Sequence, residues 1–212
     1  SYVNFLEVRK EIRYLELADT VRSKSLQLRR HEKNFFLYGD SEEIEEVHTY
    51  LRDLKTTLEQ GRKSYNTGKP LGLENKIDEY SRRFSRIEVI YRDFLKDFAG
   101  LKPLGKEYSL FFPLIESTFL ERPFVNAELI KKIFSPKVSS PVITELMELN
   151  DEIASLRKNG EEILTLSKDL DRSAREKAER AISLSQTAAL VLFPLFLIVG
   201  LAALFAISHS IV

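Results

Sequence analysis

The chain has 212 residues, equal numbers of basic and acidic side chains, 43% hydrophobic residues and no cysteine or tryptophan. Zero net charge argues against a nucleic-acid partner, and the lack of cysteine excludes disulfides and thiolate metal sites. His31 and His48 are too dispersed in the sequence to suggest a metal site. Because the sequence contains no glycine-rich phosphate loop or nucleophile motif, we expect no cofactor and no enzyme here, with any catalysis lying beyond Val212.

The first predicted helix covers about residues 2–38 and carries apolar side chains on two faces. The stripe expected to face the core consists of Val3, Leu6, Tyr14, Leu17, Val21, Leu28 and Phe35. A second stripe lies nearly opposite and consists of Phe5, Val8, Ile12, Leu15 and Leu26. A monomer would leave the second stripe in water, and an exposed stripe of that length usually marks a partner helix. We therefore predict a homodimer interface at Phe5, Val8, Ile12 and Leu15.

Polar side chains interrupt the core stripe of this helix. Lys24, Ser25, His31 and Glu32 lie within about 60° of it. Burying such groups without partners is costly, so they must find partners in protein, water or ligand. Two interpretations stay open. One is an internal network of Glu32 with Lys24 or His31; the other is a small anionic ligand, such as an organic acid, bound by Arg29 and His31 with support from Lys24 or Arg83.

The second and third predicted helices have the cleanest apolar period. Asp40 and Ser41 offer an N-cap, Glu43 is placed for a capping box, and a 3-4 spacing of apolar residues continues to Tyr65. Residues 66–73 have the composition of a turn, after which the pattern resumes until Gly100, a predicted C-cap. The short connection predicts antiparallel pairing of these two helices.

Residues 101–141 differ in composition from the rest, because they contain five of the seven prolines and six of the 22 aromatic residues. Pro113 can start a short helix that ends before Pro123, and Asn126 can cap another over residues 127–134. A long structureless loop is unusual in a compact domain. We therefore predict an aromatic-rich cap packed over the end of a helical bundle.

The fourth predicted helix runs from Val142 to Gln186 and continues into Thr187–Ile207, a run of 21 residues without charge. Such a run is long enough to cross a bilayer, and Pro194 inside it is tolerable because neighbouring groups can satisfy the carbonyl that it frees. At about 1.5 Å per residue the charged part of this helix reaches nearly 70 Å, against roughly 37 Å for the second and third helices. Near the membrane only the first and fourth helices remain, which again favours a dimer.

These elements predict an all-α fold: an elongated antiparallel four-helix bundle with a proline- and aromatic-rich cap and a C-terminal transmembrane helix. Residues 1–186 would form the bundle, 187–207 the membrane span, and 208–212 a following linker. The chain begins at Ser1 and residues 2–6 already have mid-helix character, so we expect it to be a segment of a longer protein.

Two segments carry a resemblance to a known family. Residues 28–51, LRRHEKNFFLYGDSEEIEEVHTYL, resemble the helix-one to helix-two junction of the helical periplasmic sensor domains, of four-helix-bundle or helical bimodular type, of bacterial chemotaxis receptors and sensor histidine kinases. The ending ISHSIV, residues 207–212, is similar to the opening of a cytoplasmic HAMP linker. The resemblance implies a ligand sensor in the bacterial inner membrane, with residues 1–186 in the periplasm.

Two alternatives from other classes remain. One is a tail-anchored, syntaxin-like fusion protein, and the other is a purely structural membrane-anchored bundle. A syntaxin-like helix needs a polar Gln or Arg layer on its apolar stripe, whereas here Arg157 lies off the stripe and Gly160 lies on it.

Overall fold

The computed structural model describes residues 2–65 and 71–211, and all regular structure in these residues is helical. The α-helices are α1 (Tyr2–Tyr38), α2 (Ser41–Tyr65), α3 (Leu71–Leu101), α4 (Phe112–Thr118), α5 (Pro123–Ile133) and α6 (Pro136–Ile211), and a 3-10 helix covers Lys102–Phe111. The predicted all-α class with one long, apolar C-terminal helix is confirmed.

A tight turn joins α1 to α2. Gly39 adopts a φ of 65°, the left-handed conformation that glycine tolerates best, and its N–H donates to the Phe35 carbonyl at 2.8 Å. Asp40 Oδ1 then accepts the N–H of Glu42 at 3.0 Å, so Asp40 is the N-cap of α2 as predicted. The capping-box role predicted for Glu43 is wrong, because its carboxylate instead contacts side chains of α1.

The predicted ends of the third helix need correction. Residues 66–70 of the predicted turn lie outside the described residues, and α3 already begins at Leu71. Gly100 is not a C-cap: α3 continues to Leu101, and the 3-10 helix follows at Lys102 without a break. Pro103 lies in the first turn of that 3-10 helix. Proline is tolerated there because the N–H groups of a first turn have no hydrogen-bond partner within the helix.

Proline also sets the starts of α4 and α5. Pro113 lies in the first turn of α4, which ends at Thr118, before Pro123, as predicted. However, α5 starts at Pro123 and not at Asn126. The buried Asn126 side chain donates to the Arg122 carbonyl at 3.0 Å and to Thr118 Oγ1 at 3.1 Å. Its amide therefore ties α5 back to α4 from inside the helix.

Stacked aromatic rings pack the proline-rich segment against α3. The rings of Phe94 and Phe119 lie 4.2 Å apart, and those of Phe98 and Phe112 meet edge to face at 5.6 Å. The ring of Phe134 lies so close to Gly105 that a Cβ there would come within 2.6 Å of it. The 3-10 helix therefore depends on a residue without a side chain at this position.

The chain divides into two compact units. The first contains Ser1–Asp19 and Asp169–Val212, and the second contains Thr20–Lys168. In the second unit the predicted stripes of four helices are buried; they include Val21, Leu28 and Phe35 of α1, Leu51, Leu54 and Leu58 of α2, Ile77, Phe84 and Ile87 of α3, and Leu146, Leu149 and Leu156 of α6. Full burial of such a side chain contributes about 1.5–3 kcal/mol.

The first unit has a smaller core. Tyr14 and Ala18 of α1 are buried, as are Leu170, Ala174 and Ala178 of α6. Leu6, predicted to face the core, is 45% exposed, so that prediction is wrong for the start of the stripe, and the side chain of Val3 lies outside the described residues. On the opposite stripe Phe5 and Ile12 are exposed, whereas Val8 and Leu15 are partly buried.

The apolar run predicted to cross the membrane lies within α6. Among the described residues, this is the one helix that is long and apolar enough to span a bilayer. Helix α6 continues through Pro194 to Ile211, and residues 189–205 are exposed along its whole circumference. A helix that is apolar on all sides and exposed suits a lipid environment.

Candidate functional site

The structure divides the four predicted ligand-binding residues among three places in the second unit. Lys24 and His31 meet at the ring of Tyr50 on α2: His31 stacks on it at 5.3 Å, and Lys24 Nζ lies 6.0 Å from its centre. Lys24 also pairs with Asp53 at 2.9 Å, and His31 Nδ1 contacts Glu43. Both side chains of α1 therefore have carboxylate partners on α2.

Arg83 lies apart from the other three, on α3. Its guanidinium pairs with Glu79 on its own helix at 3.1 Å and with Glu152 of α6 at 3.3 Å. One turn further on, Arg86 pairs with Glu148 of α6 at 3.1 Å. This part of α3 therefore contacts α6 through ion pairs.

The buried polar centre of the second unit is Glu32. Its predicted position within the core stripe is confirmed, because the residue is only 2% exposed. Arg29 Nη1 donates to both carboxylate oxygens, and Tyr80 Oη of α3 donates to Oε2 at 2.6 Å. The predicted internal partners Lys24 and His31 were wrong, since both face α2 instead.

Burial governs the electrostatics of this network. Loss of solvent raises the pKa of the Glu32 carboxyl, although the Arg29 charge opposes that shift. Burial, and then the Glu32 charge, raise the pKa of the fully buried Tyr80 hydroxyl well above its ordinary value. Tyr80 therefore stays protonated and remains a hydrogen-bond donor to Glu32.

Arg29 joins this buried centre to α6. Its Nη2 donates to Glu161 at 2.7 Å, while its Nη1 stays on Glu32. The guanidinium crosses α6 at Gly160, where a Cβ would come within 2.6 Å of Nη1 and 2.8 Å of Cδ. Gly160 occupies the apolar stripe of α6 because the Arg29 side chain fills the space that a larger residue would take.

A groove of about 760 Å³ opens beside this network, between α1 and α6. Its lining includes Leu26, Arg29, Arg30, Lys33, Arg157 and Leu164. The Arg157 guanidinium lies 5.6 Å from the ring centre of Phe36, in cation–π contact. No carboxylate of the described residues lies within 4 Å of the charged groups of Arg30, Lys33 and Arg157, and the Arg157 charge acts on Glu32 from further away by lowering its pKa. Sequence reasoning did not select Lys33 or Arg157, because both lie off the apolar stripes on which it depended.

Two serines form a second buried polar contact between α1 and α6. The Oγ atoms of Ser25 and Ser167 lie 2.8 Å apart, and each hydroxyl also donates to the carbonyl one turn earlier in its own helix. Ser25 was predicted to interrupt the core stripe, and it is fully buried. Its partner lies 142 positions away, and sequence periodicity alone cannot set that pairing.

An acidic cluster, which the sequence reasoning missed, joins α3 to α6. The Glu145 carboxyl lies next to Asp97, with Asp93 and Glu148 nearby. Loss of solvent, and after it the neighbouring Asp97, raise the pKa of Glu145 to about 8. The available signal was the i, i+4 spacing of Asp93 and Asp97 on α3. Within the described residues no group of three or more possible ligands is arranged to hold a metal ion.

Comparison of this chain with protein families, with curated proteins and with solved structures finds no match. Its function is therefore inferred from its own residues.

Proposed function

We propose that this chain is the ligand-sensing and membrane-spanning part of a bacterial receptor, of the sensor histidine kinase or chemotaxis receptor type. The observation that carries the proposal is that one helix, α6, forms a wall of the charged groove through Arg157 and Glu161 and also contains the exposed apolar run. A binding site and a membrane span on the same helix suit a receptor.

In this proposal the helices α1, α2, α3 and α6 of the second unit form an antiparallel four-helix bundle, with residues 101–141 as its cap. Ion pairs between α1 and α2, between α1 and α6 and between α3 and α6 support that arrangement. Residues 1–186 lie in the periplasm, 187–207 cross the inner membrane, and 208–212 begin a cytoplasmic HAMP-like linker.

A ligand can signal only by binding one arrangement of the helices more tightly than another. About 1.4 kcal/mol of such differential affinity changes the population ratio tenfold. The groove is suited to this because its two walls belong to different helices, and a ligand between them changes the contacts of α1 with α6. Arg157 is exposed in the groove, so it does not supply the polar core layer that a syntaxin-like protein needs.

Topology tests this proposal directly. A reporter that is active only in the cytoplasm is fused after Val212, behind a first membrane span, and a periplasm-specific reporter is fused at the same position in a second strain. We expect the cytoplasmic reporter to be active and the periplasmic one to be silent. The reverse pattern would exclude a periplasmic sensor.

The predicted homodimer has its own test in the first unit. Ile12 is 39% exposed on the stripe that also contains Phe5, Val8 and Leu15, whereas Leu17 lies on the other face. In a parallel dimer, Ile12→Cys should form a disulfide with its own copy in membranes, because symmetric interface positions reach disulfide distance. Leu17→Cys is the matched control. Cross-linking of Leu17→Cys without Ile12→Cys would reverse the assigned faces.

A further inference from the structure

We propose that the groove between α1 and α6 binds an organic anion with one carboxylate and an apolar body, and that Glu161 competes with that carboxylate for Arg29. This inference rests on the proposed function, since it names the ligand class of the sensor and the internal group that the ligand displaces.

The two ends of the Arg29 guanidinium differ in accessibility. On one side Nη1 is held by Glu32, whose side chain is only 3% exposed and is also bound by Tyr80. On the other side Nη2 contacts Glu161, whose side chain is 66% exposed. Exposed ion pairs contribute little to stability, so the Glu161 carboxylate can be exchanged at small cost. The fixed Nη2 donor is then available to another carboxylate.

Charge in the groove favours an anion. Arg29, Arg30, Lys33 and Arg157 line it, against Glu32, Glu121 and Glu161. Glu32 is already compensated by Arg29 and Tyr80, so Arg30, Lys33 and Arg157 remain against Glu121 and Glu161 and the lining keeps an excess of positive charge. Arginine presents a planar set of donors that matches a carboxylate. Arg157, on the opposite wall from Arg30 and Lys33, can approach the same anion from α6.

The apolar part of the lining selects the body of the ligand. Leu26 is 44% exposed, and Leu37 and Leu164 complete an apolar surface beside the guanidinium groups. The groove, at about 760 Å³, falls within the range of small-molecule sites. A bare inorganic anion would leave the leucine side chains in water, whereas an aryl or alkyl carboxylate covers them. The groove therefore fits an amphipathic monocarboxylate better than phosphate.

Binding in this way would change the contact between α1 and α6. In the structure Arg29 of α1 is joined directly to Glu161 of α6. With the ligand bound, the carboxylate replaces that link, and α6 is held through Arg157 and the apolar contacts of Leu164. The ligand thus exchanges one attachment of α6 for another, which gives it the differential affinity that a signal requires.

The test uses the full chain in lipid nanodiscs and isothermal titration calorimetry. The probes are phenylacetate, its uncharged analogue phenylacetamide, and inorganic phosphate. We expect phenylacetate to bind at least about tenfold more tightly than either of the others, since only phenylacetate combines a carboxylate with an apolar body. Absence of phenylacetate binding in the wild type and in Glu161→Gln alike would overturn the proposal.

Matched variants locate the site and test the competition. Glu161→Gln removes the competitor and should tighten phenylacetate binding by about three- to fivefold, the change expected when one exposed ion pair no longer has to be broken. Glu162→Gln is the control, because it removes the same charge from the next residue of α6, whose carboxylate pairs with Lys76 of α3 at 2.5 Å. This variant should change the affinity for phenylacetate by less than about twofold. Equal effects of the two variants would refute the competition.

Arg157→Gln should weaken phenylacetate binding by at least about fivefold, because it removes a cation with no ion-pair partner. Unchanged affinity would place the probe outside the groove and overturn the proposal. Circular dichroism and thermal unfolding of each variant separate a lost site from a lost fold. The reporter fusions after Val212 measure the topology independently of the titration. If the cytoplasmic reporter is active but phenylacetate does not bind, only this binding site is refuted. If the topology is reversed, the sensor function itself is refuted.

Discussion

The carboxyl pair of Glu145 and Asp97 predicts a specific pH dependence of stability. Two neighbouring carboxyls are most stable with one proton between them, and the pKa of Glu145 is raised from 4.5 to about 8, first by burial and then by Asp97. The folded chain therefore keeps a proton that the unfolded chain releases above about pH 4.5. This contribution to stability is fully present below the unfolded pKa and is lost as the pH rises through about 8.

The size of the effect follows from the shift. At about 1.4 kcal/mol per pKa unit the full shift corresponds to at most about 5 kcal/mol. Glu145 is only partly buried, so solvent screening reduces the expected contribution to about 1–2 kcal/mol. For a chain of this length that corresponds to a change in Tm of roughly 2–8 °C.

Glu145→Gln isolates this contribution, because the amide can donate to Asp97 and has no proton to lose. Thermal unfolding of the full chain in detergent, followed by circular dichroism from pH 5 to pH 9, should show the wild type losing about 1–2 kcal/mol more stability than the variant between these limits. Glu148→Gln is the control for charge alone: the Glu148 charge raises the pKa of Glu145 less than burial and Asp97 do, so this variant should keep most of the wild-type pH dependence. Parallel pH profiles for the wild type and Glu145→Gln would refute the shared proton.

Two further substitutions test the buried network around Arg29. Gly160→Ala should destabilise the chain by about 2–4 kcal/mol in denaturant unfolding, because the new Cβ displaces Arg29 from a buried pair and the gain in helix propensity is only about 1 kcal/mol. Gly100→Ala is the control, because nothing lies within 4 Å of the added Cβ, and it should stabilise the chain by about 0.5–1 kcal/mol. If both substitutions stabilise the chain, the close approach of Arg29 to Gly160 is contradicted. Tyr80→Phe should cost about 1–3 kcal/mol in the same assay, since it leaves the buried carboxylate of Glu32 with one donor fewer. A neutral result would mean that Arg29 alone satisfies Glu32.

Periodicity predicted most helices of this chain and two of its buried polar residues. The angular count on α1 placed Ser25 and Glu32 towards the core because a helix fixes the direction of each side chain from its position in the sequence. The partners of these residues depend on the register between helices that are far apart in the chain. Ser167 and Tyr80 could therefore not be identified as partners from spacing.

The errors have similar physical causes. Asn126 has the residue type of an N-cap, but Pro123 already fixes the backbone at the start of α5, and the amide is used between helices instead. In the sequence Gly160 is only a gap in an apolar stripe, because no rule of periodicity shows that an arginine from α1 fills it. Predicted ligand residues such as Lys24 were chosen by charge, and charge alone does not reveal a carboxylate on the facing helix.

The aromatic rings of the second unit form a continuous chain that has a kinetic consequence. It runs from Phe35 on α1 through Tyr91, Phe119, Phe94, Phe98 and Phe112 to Phe134, each ring in contact with the next. A buried phenyl ring can make a half-turn only when its neighbours transiently withdraw, since close-packed interiors contain little free volume. Half-turns of Phe94 should therefore be slow and coupled to those of its neighbours, and the line shapes of ring-labelled phenylalanine in NMR spectra would report loosening of the interior before any helix changes position.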